Sequence, residues 1–140
     1  MQFTHSITIM ADRHDVYAAI ADLTTWPDWM PDVSAVEPRS GVEGPEVGAA
    51  YGVTQHRITE TYRILELVPT TRVVVQGGSA VASAVITYTL SDAPEYGTHM
   101  QTDVAMEGLG GKVIGAVFAK TYREQVLGEA LGLKDYIERA

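Results

Sequence analysis

Six runs with strand character stand directly before a helical stretch of 28 residues, Lys112 to Arg139. No feature of the chain constrains its fold more. The runs are Val33–Glu37, Ala49–Gln55, Ile58–Leu67, Val73–Gln76, Ala82–Leu90 and Thr98–Glu107. Between them lie turn residues such as Pro69, Gly77-Gly78 and Ser91-Asp92-Ala93-Pro94. Strands joined by short turns predict an antiparallel meander. Strands grouped apart from helices predict an α+β fold.

The first segment adds a strand and a helix. Phe3, His5, Ile7 and Ile9 alternate with Gln2, Thr4, Ser6 and Thr8, the period of a half-buried strand. Asp12 is placed to cap a helix from about Arg13 to Asp22. Trp26-Pro27-Asp28-Trp29-Met30-Pro31 breaks that helix and carries two rings that need packing partners. The long C-terminal helix has two apolar faces. Val113, Ile114, Val117, Phe118 and Thr121 form one, and Tyr122, Val126, Leu133, Tyr136 and Ile137 the other. It either bends near Gly128 and Gly132 or meets different surroundings along its length. The simplest packing is a curved sheet of about seven strands around this helix, as one domain over residues 1–140.

Composition narrows the function. The chain has 10 Lys and Arg against 18 Asp and Glu, a net charge of −8, which disfavours nucleic acid and anionic lipid surfaces. It has no cysteine, so disulfides and thiolate metal sites are excluded and a reducing, cytoplasmic setting is expected. No apolar run reaches the roughly 20 residues of a membrane span, and the first residues lack the pattern of a signal peptide.

Four motifs resemble the polyketide cyclase/dehydrase branch of the START-like, birch-pollen-allergen-like superfamily. They are Ala11 to Asp22 with Trp26-Pro27-Asp28-Trp29-Met30-Pro31; Gly44-Pro45-Glu46-Val47-Gly48; Ile64 to Val73 around Pro69; and Tyr88-Thr89-Leu90 followed by Gly97-Thr98. The resemblance covers nearly the whole chain. It implies a helix-grip fold with an internal cavity for a hydrophobic molecule. It implies no particular catalytic residue, because the family has no universal catalytic motif.

Strand parity proposes the cavity wall. Met100, Thr102, Val104 and Met106 share one side of the last strand; Ala82, Ala84, Ile86, Tyr88 and Leu90 share one side of the strand before it. The small alanines leave space there. Tyr62, Tyr88, Met100, Met106, Val117 and Phe118 are therefore expected around one enclosed space, with Gln76 as a further ligand-orienting group. Trp29 and Met30 are expected at its mouth, where they and the glycine-rich joint Gly108–Gly111 would form a gate. Glu60 shares parity with Ile58, Tyr62 and Ile64, so it is either an inward acid–base group or a wet edge residue paired with arginine. His5 reads as a core histidine with its hydrogen bonds met. None of His5, His14, His56 and His99 stands at metal-ligand spacing, and no metal or cofactor is expected. Gly108-Leu109-Gly110-Gly111-Lys112 has the wrong spacing for a phosphate loop.

Three functions remain open. The first is a binder of a lipid-like, polyketide or aromatic molecule. The second is an aromatase/cyclase or dehydratase using the same cavity. The third is a protein-interaction module, and a homodimer is also left open.

Overall fold

The computed structural model describes residues 2–39, 41, 44–78 and 83–139, and of these every side chain except those of 108–122. The alternating first segment is β1 (Gln2–Ile9), with Phe3 and Ile9 buried and the threonines and serine between them exposed. Asp12 caps α1 (Arg13–Ala21), accepting the His14 amide at 2.7 Å. Asp22 follows α1 and caps a 3-10 turn, Leu23–Thr25, accepting the Thr24 amide at 3.1 Å. A one-turn helix, α2 (Trp26–Trp29), comes next, with Pro27 in its first turn, where a missing N–H leaves no bond unmade. Trp26 Nε1 donates to the Ile20 carbonyl at 3.0 Å, Trp29 Nε1 donates to Thr25 Oγ1 at 3.2 Å, and the two rings meet edge to face. Trp26 therefore ties α2 to α1, and Trp29 ties it to the turn between them.

The remaining strands are β2 (Val33–Pro38), β3 (Ala50–Gln55), β4 (Ile58–Val68), β5 (Arg72–Gly78), β6 (Ser83–Ala93) and β7 (Gly97–Glu107). They form one seven-stranded antiparallel sheet in the order β1-β7-β6-β5-β4-β3-β2. Strands β2 to β7 are the expected meander. The first strand joins its far edge, and α1 and α2 carry the chain from one edge of the sheet to the other. The expected α+β helix-grip architecture is present.

Two details depart from the sequence reading. The sixth strand runs on to Ala93, because Asp92 and Ala93 still pair with Thr98 and Gly97, and the turn tightens to Pro94–Tyr96. In β4 the pairing steps from Ile64↔Val75 to Glu66↔Val74. This bulge at Leu65 lets Ile64 and Leu67 both reach the core while Leu65 stays exposed.

The long helix, α3 (Gly108–Glu138), packs on the inner face of the sheet against β1, β6 and β7, and against α2. It begins directly after β7, so Gly108–Gly111 is its first turn and not a separate joint. In its second half Val126, Ala130, Leu133 and Ile137 turn toward the sheet. Tyr136, expected on that face, is exposed, and Ala130 takes the inner position.

Candidate functional site

The inner face of the sheet is apolar along most of its length, but its core is split into two clusters. Ile9, Met100, Ala130 and Leu133 belong to a large one that includes Trp26 and Leu90. Phe3, Val104 and Val126 form a small one, with Ala84, Ile86 and Met106 packed against it. Beside the small cluster lies a cavity of about 410 Å³. Its walls come from five strands, β3 to β7, and α3. Ile86, Val104, Met106 and Val126 supply apolar surface, and Tyr62, Glu60 and Glu129 supply polar groups.

Local structure explains each polar position. Tyr62 pairs with Gly77 across β4 and β5, and a Cβ at Gly77 would collide with the Tyr62 ring. Glycine there is what lets the ring lie flat over the sheet. The Tyr62 hydroxyl donates to Gln55 Oε1 at 3.1 Å, and its ring meets Trp26 edge to face at 5.8 Å. Glu60 pairs with the buried Val53 and so faces inward, near the rim and half-buried. Among the described residues no ion pair holds it. The rim also carries His56, whose Nε2 lies 3.8 Å from Asp32.

Glu129 is a cavity-lining carboxyl that sequence reasoning missed. It stands three residues after Val126 and four before Leu133, so one helical face carries all three. Burial raises its carboxyl pKa to about 7; a hydrogen bond from Gln125 opposes the shift and the charge of Asp32 adds to it. The side chain keeps some surface contact while protein atoms crowd the carboxyl itself. Across the cavity, burial drives the Tyr88 phenol well above its ordinary pKa, and Glu129 and Tyr62 push it the same way. Tyr88 is therefore a neutral donor at any physiological pH.

The expected site residues separate. Tyr62 and Met106 line the cavity. Tyr88 and Met100 face the same side of the sheet but are fully buried beside it, 2% and 1% exposed. Val117 and Phe118 have side chains outside the described residues. Gln76 does not join the site. It pairs with Arg63 and Val85 on the outer face, and its amide lies 3.5 Å from Glu107. The reason is parity: Tyr62 and Ile86 point inward, so Gly77 and Val75 do too, and Gln76 cannot. Trp29 and Met30 are not at the cavity mouth. They are 4% and 2% exposed, and they border a separate groove against Gly132 of α3. His5 was expected to have its bonds met, yet among the described residues its Nε2 is buried without a partner, as are Tyr88 Oη and Thr102 Oγ1.

A larger groove of about 640 Å³ lies near the start of α1. It is open and polar, bordered by Asp12, Thr70 and Glu95, and the ion pair between Arg13 and Asp92 at 2.8 Å belongs to it. It lacks the apolar walls that a hydrophobic molecule needs. Among the described residues no three of His, Asp or Glu stand together to hold a metal, and no helix is long and apolar enough to cross a membrane.

Comparison with solved structures shows the same fold at low identity. A hypothetical protein from Helicobacter pylori superposes with a TM-score of 0.83 at 9% identity, covering 97% of this chain and 87% of that one. A START superfamily protein from Mycobacterium smegmatis gives 0.78 at 13%, covering 99% and 97%. Ara h 8.0201 gives 0.76 at 14%, covering 100% and 99%. The chain matches no curated protein. Residues 1–138 match the sequence family described as polyketide cyclase / dehydrase and lipid transport. With that match over almost its full length, and a helix-grip sheet folded against α3, the chain belongs to the polyketide cyclase/dehydrase and lipid transport family.

Proposed function

We propose that this chain binds one small hydrophobic molecule in the cavity between the sheet and α3. The cavity itself carries the reading: about 410 Å³ walled mainly by Ile86, Val104, Met106 and Val126. Burying apolar ligand surface there contributes roughly 25 cal/mol per Å² before the costs of association. The rim is acidic, with Glu60, Glu129 and the nearby Asp32, and among the described residues no Lys or Arg lines the cavity. That charge favours neutral molecules over anions. Family membership supports the same class of ligand, and the absence of cysteine supports a cytoplasmic setting.

N-phenyl-1-naphthylamine, a neutral dye that brightens in apolar surroundings, tests the reading. The expected result is saturable one-to-one binding, weakened at least about tenfold in Ala84→Phe, whose ring fills the space. Binding that ignores Ala84→Phe would place the ligand elsewhere.

Glu129 favours a second reading, an aromatase/cyclase or dehydratase. A carboxyl that titrates near 7 can both give and take a proton at neutral pH. Turnover of a poly-β-ketone thioester mimic would distinguish the readings. An enzyme acting through Glu129 loses turnover in Glu129→Gln and keeps it in Glu60→Gln. A binder shows no turnover in the unaltered protein.

A further inference from the structure

Three buried polar atoms without partners lie in one row across the sheet. His5 of β1 pairs with Thr102 of β7, and Thr102 pairs with Tyr88 of β6. Side chains at directly opposed positions are neighbours on one face, about 5 Å apart. His5 Nε2, Thr102 Oγ1 and Tyr88 Oη are each buried with no hydrogen-bond partner among the described residues. Thr102 and Tyr88 are 3% and 2% exposed.

The row falls where the two apolar clusters part. Along β1 it lies between Phe3 and Ile7, along β7 between Val104 and Met100, and on α3 Glu129 stands between Val126 and Ala130. It sits two residues deeper along β6 and β7 than Ile86 and Val104 of the cavity wall, a step of about 7 Å. Phenylalanine at 88 and valine at 102 would fill the same volumes without stranding a hydroxyl. Buried polar groups are costly unless something satisfies them. None of the three lines the cavity. Burial raises the Tyr88 phenol pKa, and Glu129 and Tyr62, which do line the cavity, both push it further up, so the row lies within charge range of the cavity and behind its wall.

We propose that His5, Thr102 and Tyr88 form a polar floor that selects a neutral hydrophobic ligand carrying one carbonyl or hydroxyl oxygen at its leading end. The inference rests on the cavity being the binding site. Tyr88 and Thr102 donate to that oxygen, and the apolar body of the ligand fills the space between Ile86, Val104 and Val126. A carboxylate in the same position meets a partly ionised Glu129, and among the described residues no Lys or Arg lines the cavity, so a neutral oxygen is preferred over an anion.

Three probes of one shape test this: naphthalene, 2-naphthol and naphthalene-2-carboxylate, titrated into the full chain by NMR. The expected order is naphthol about tenfold tighter than naphthalene, with the carboxylate weakest. Tyr88→Phe with Thr102→Val should bring naphthol to the affinity of naphthalene and leave naphthalene unchanged. Neither substitution removes a hydrogen bond to a described residue, so both variants should fold. Tyr88→Phe, which deletes one atom, carries the test alone if the double variant does not. Equal binding of naphthol and naphthalene in the unaltered protein overturns the polar floor, as does a naphthol preference that survives the substitutions. In either case naphthalene binding sensitive to Ala84→Phe leaves the cavity reading standing. Binding of none of these probes, nor of N-phenyl-1-naphthylamine, removes both.

Discussion

At the scale of single residues, Glu129 shows how position changes chemistry. The same carboxyl on the outer face of α3 would titrate near 4.5; between the sheet and the helix it titrates at about 7. The folded protein therefore holds the proton more tightly than the unfolded chain does. The stabilising contribution is full below the unfolded pKa and is lost as pH rises through about 7. Glu129→Gln keeps the shape and removes the titration. Its melting temperature should rise above that of the unaltered protein as pH goes from 5 to 8, by an amount equivalent to roughly 1–3 kcal/mol. A difference that stays flat with pH would mean that Glu129 ionises as an exposed carboxylate does. The helical spacing of Glu129 with Val126 and Leu133 was visible in the sequence. A carboxylate on that face reads as solvent-facing until a cavity is known to lie beneath it.

At the scale of elements, α3 approaches α2 closely at one point. A Cβ at Gly132 would collide with the Trp29 carbonyl oxygen. Backbone stands on both sides, so neither can give way cheaply. Gly132→Ala is expected to destabilise the protein by about 1–3 kcal/mol, despite alanine's better helix propensity, and Gly128→Ala, which meets open space, to stabilise it by a few tenths to about 1 kcal/mol. Chemical denaturation of the two variants reads the contrast, and equal shifts would contradict the packing. The β3–β4 turn makes a second point. His56 and Arg57 both have positive φ, 49° and 68°, between the paired Gln55 and Ile58. Two-residue hairpin turns of this form prefer Asn-Gly. Replacing the pair with Asn-Gly should stabilise the chain by about 1–2 kcal/mol. His56 lines the cavity, so the strain sits at its rim. Ligand titration of the variant would show whether those side chains also matter for entry.

At the scale of the whole molecule, a cavity inside the core couples binding to folding. A neutral ligand held between the sheet and α3 at about 100 times its dissociation constant should add roughly 2.7 kcal/mol to stability. Thermal melts with N-phenyl-1-naphthylamine measure this, and no shift despite saturated fluorescence would indicate binding to partly unfolded protein. The sequence alone determined the number of strands, their antiparallel joining, the capped first helix, the tryptophan turn and the long final helix. Those features follow from local rules: period-2 and helical spacing, the short carboxylate at Asp12, and prolines and glycines that interrupt both patterns. Parity within one strand also decided that Met100, Thr102, Val104 and Met106 share a face. Only the tertiary structure decided which face of β5 is inner, because Val73, Val74 and Val75 are all buried and hydrophobicity does not choose between the two sides. Gln76 was misplaced for that reason. The row of His5, Thr102 and Tyr88 was hidden for a related one. Its three residues lie far apart in the chain, and register between strands is set by pairing and packing across the whole sheet, which no local spacing records.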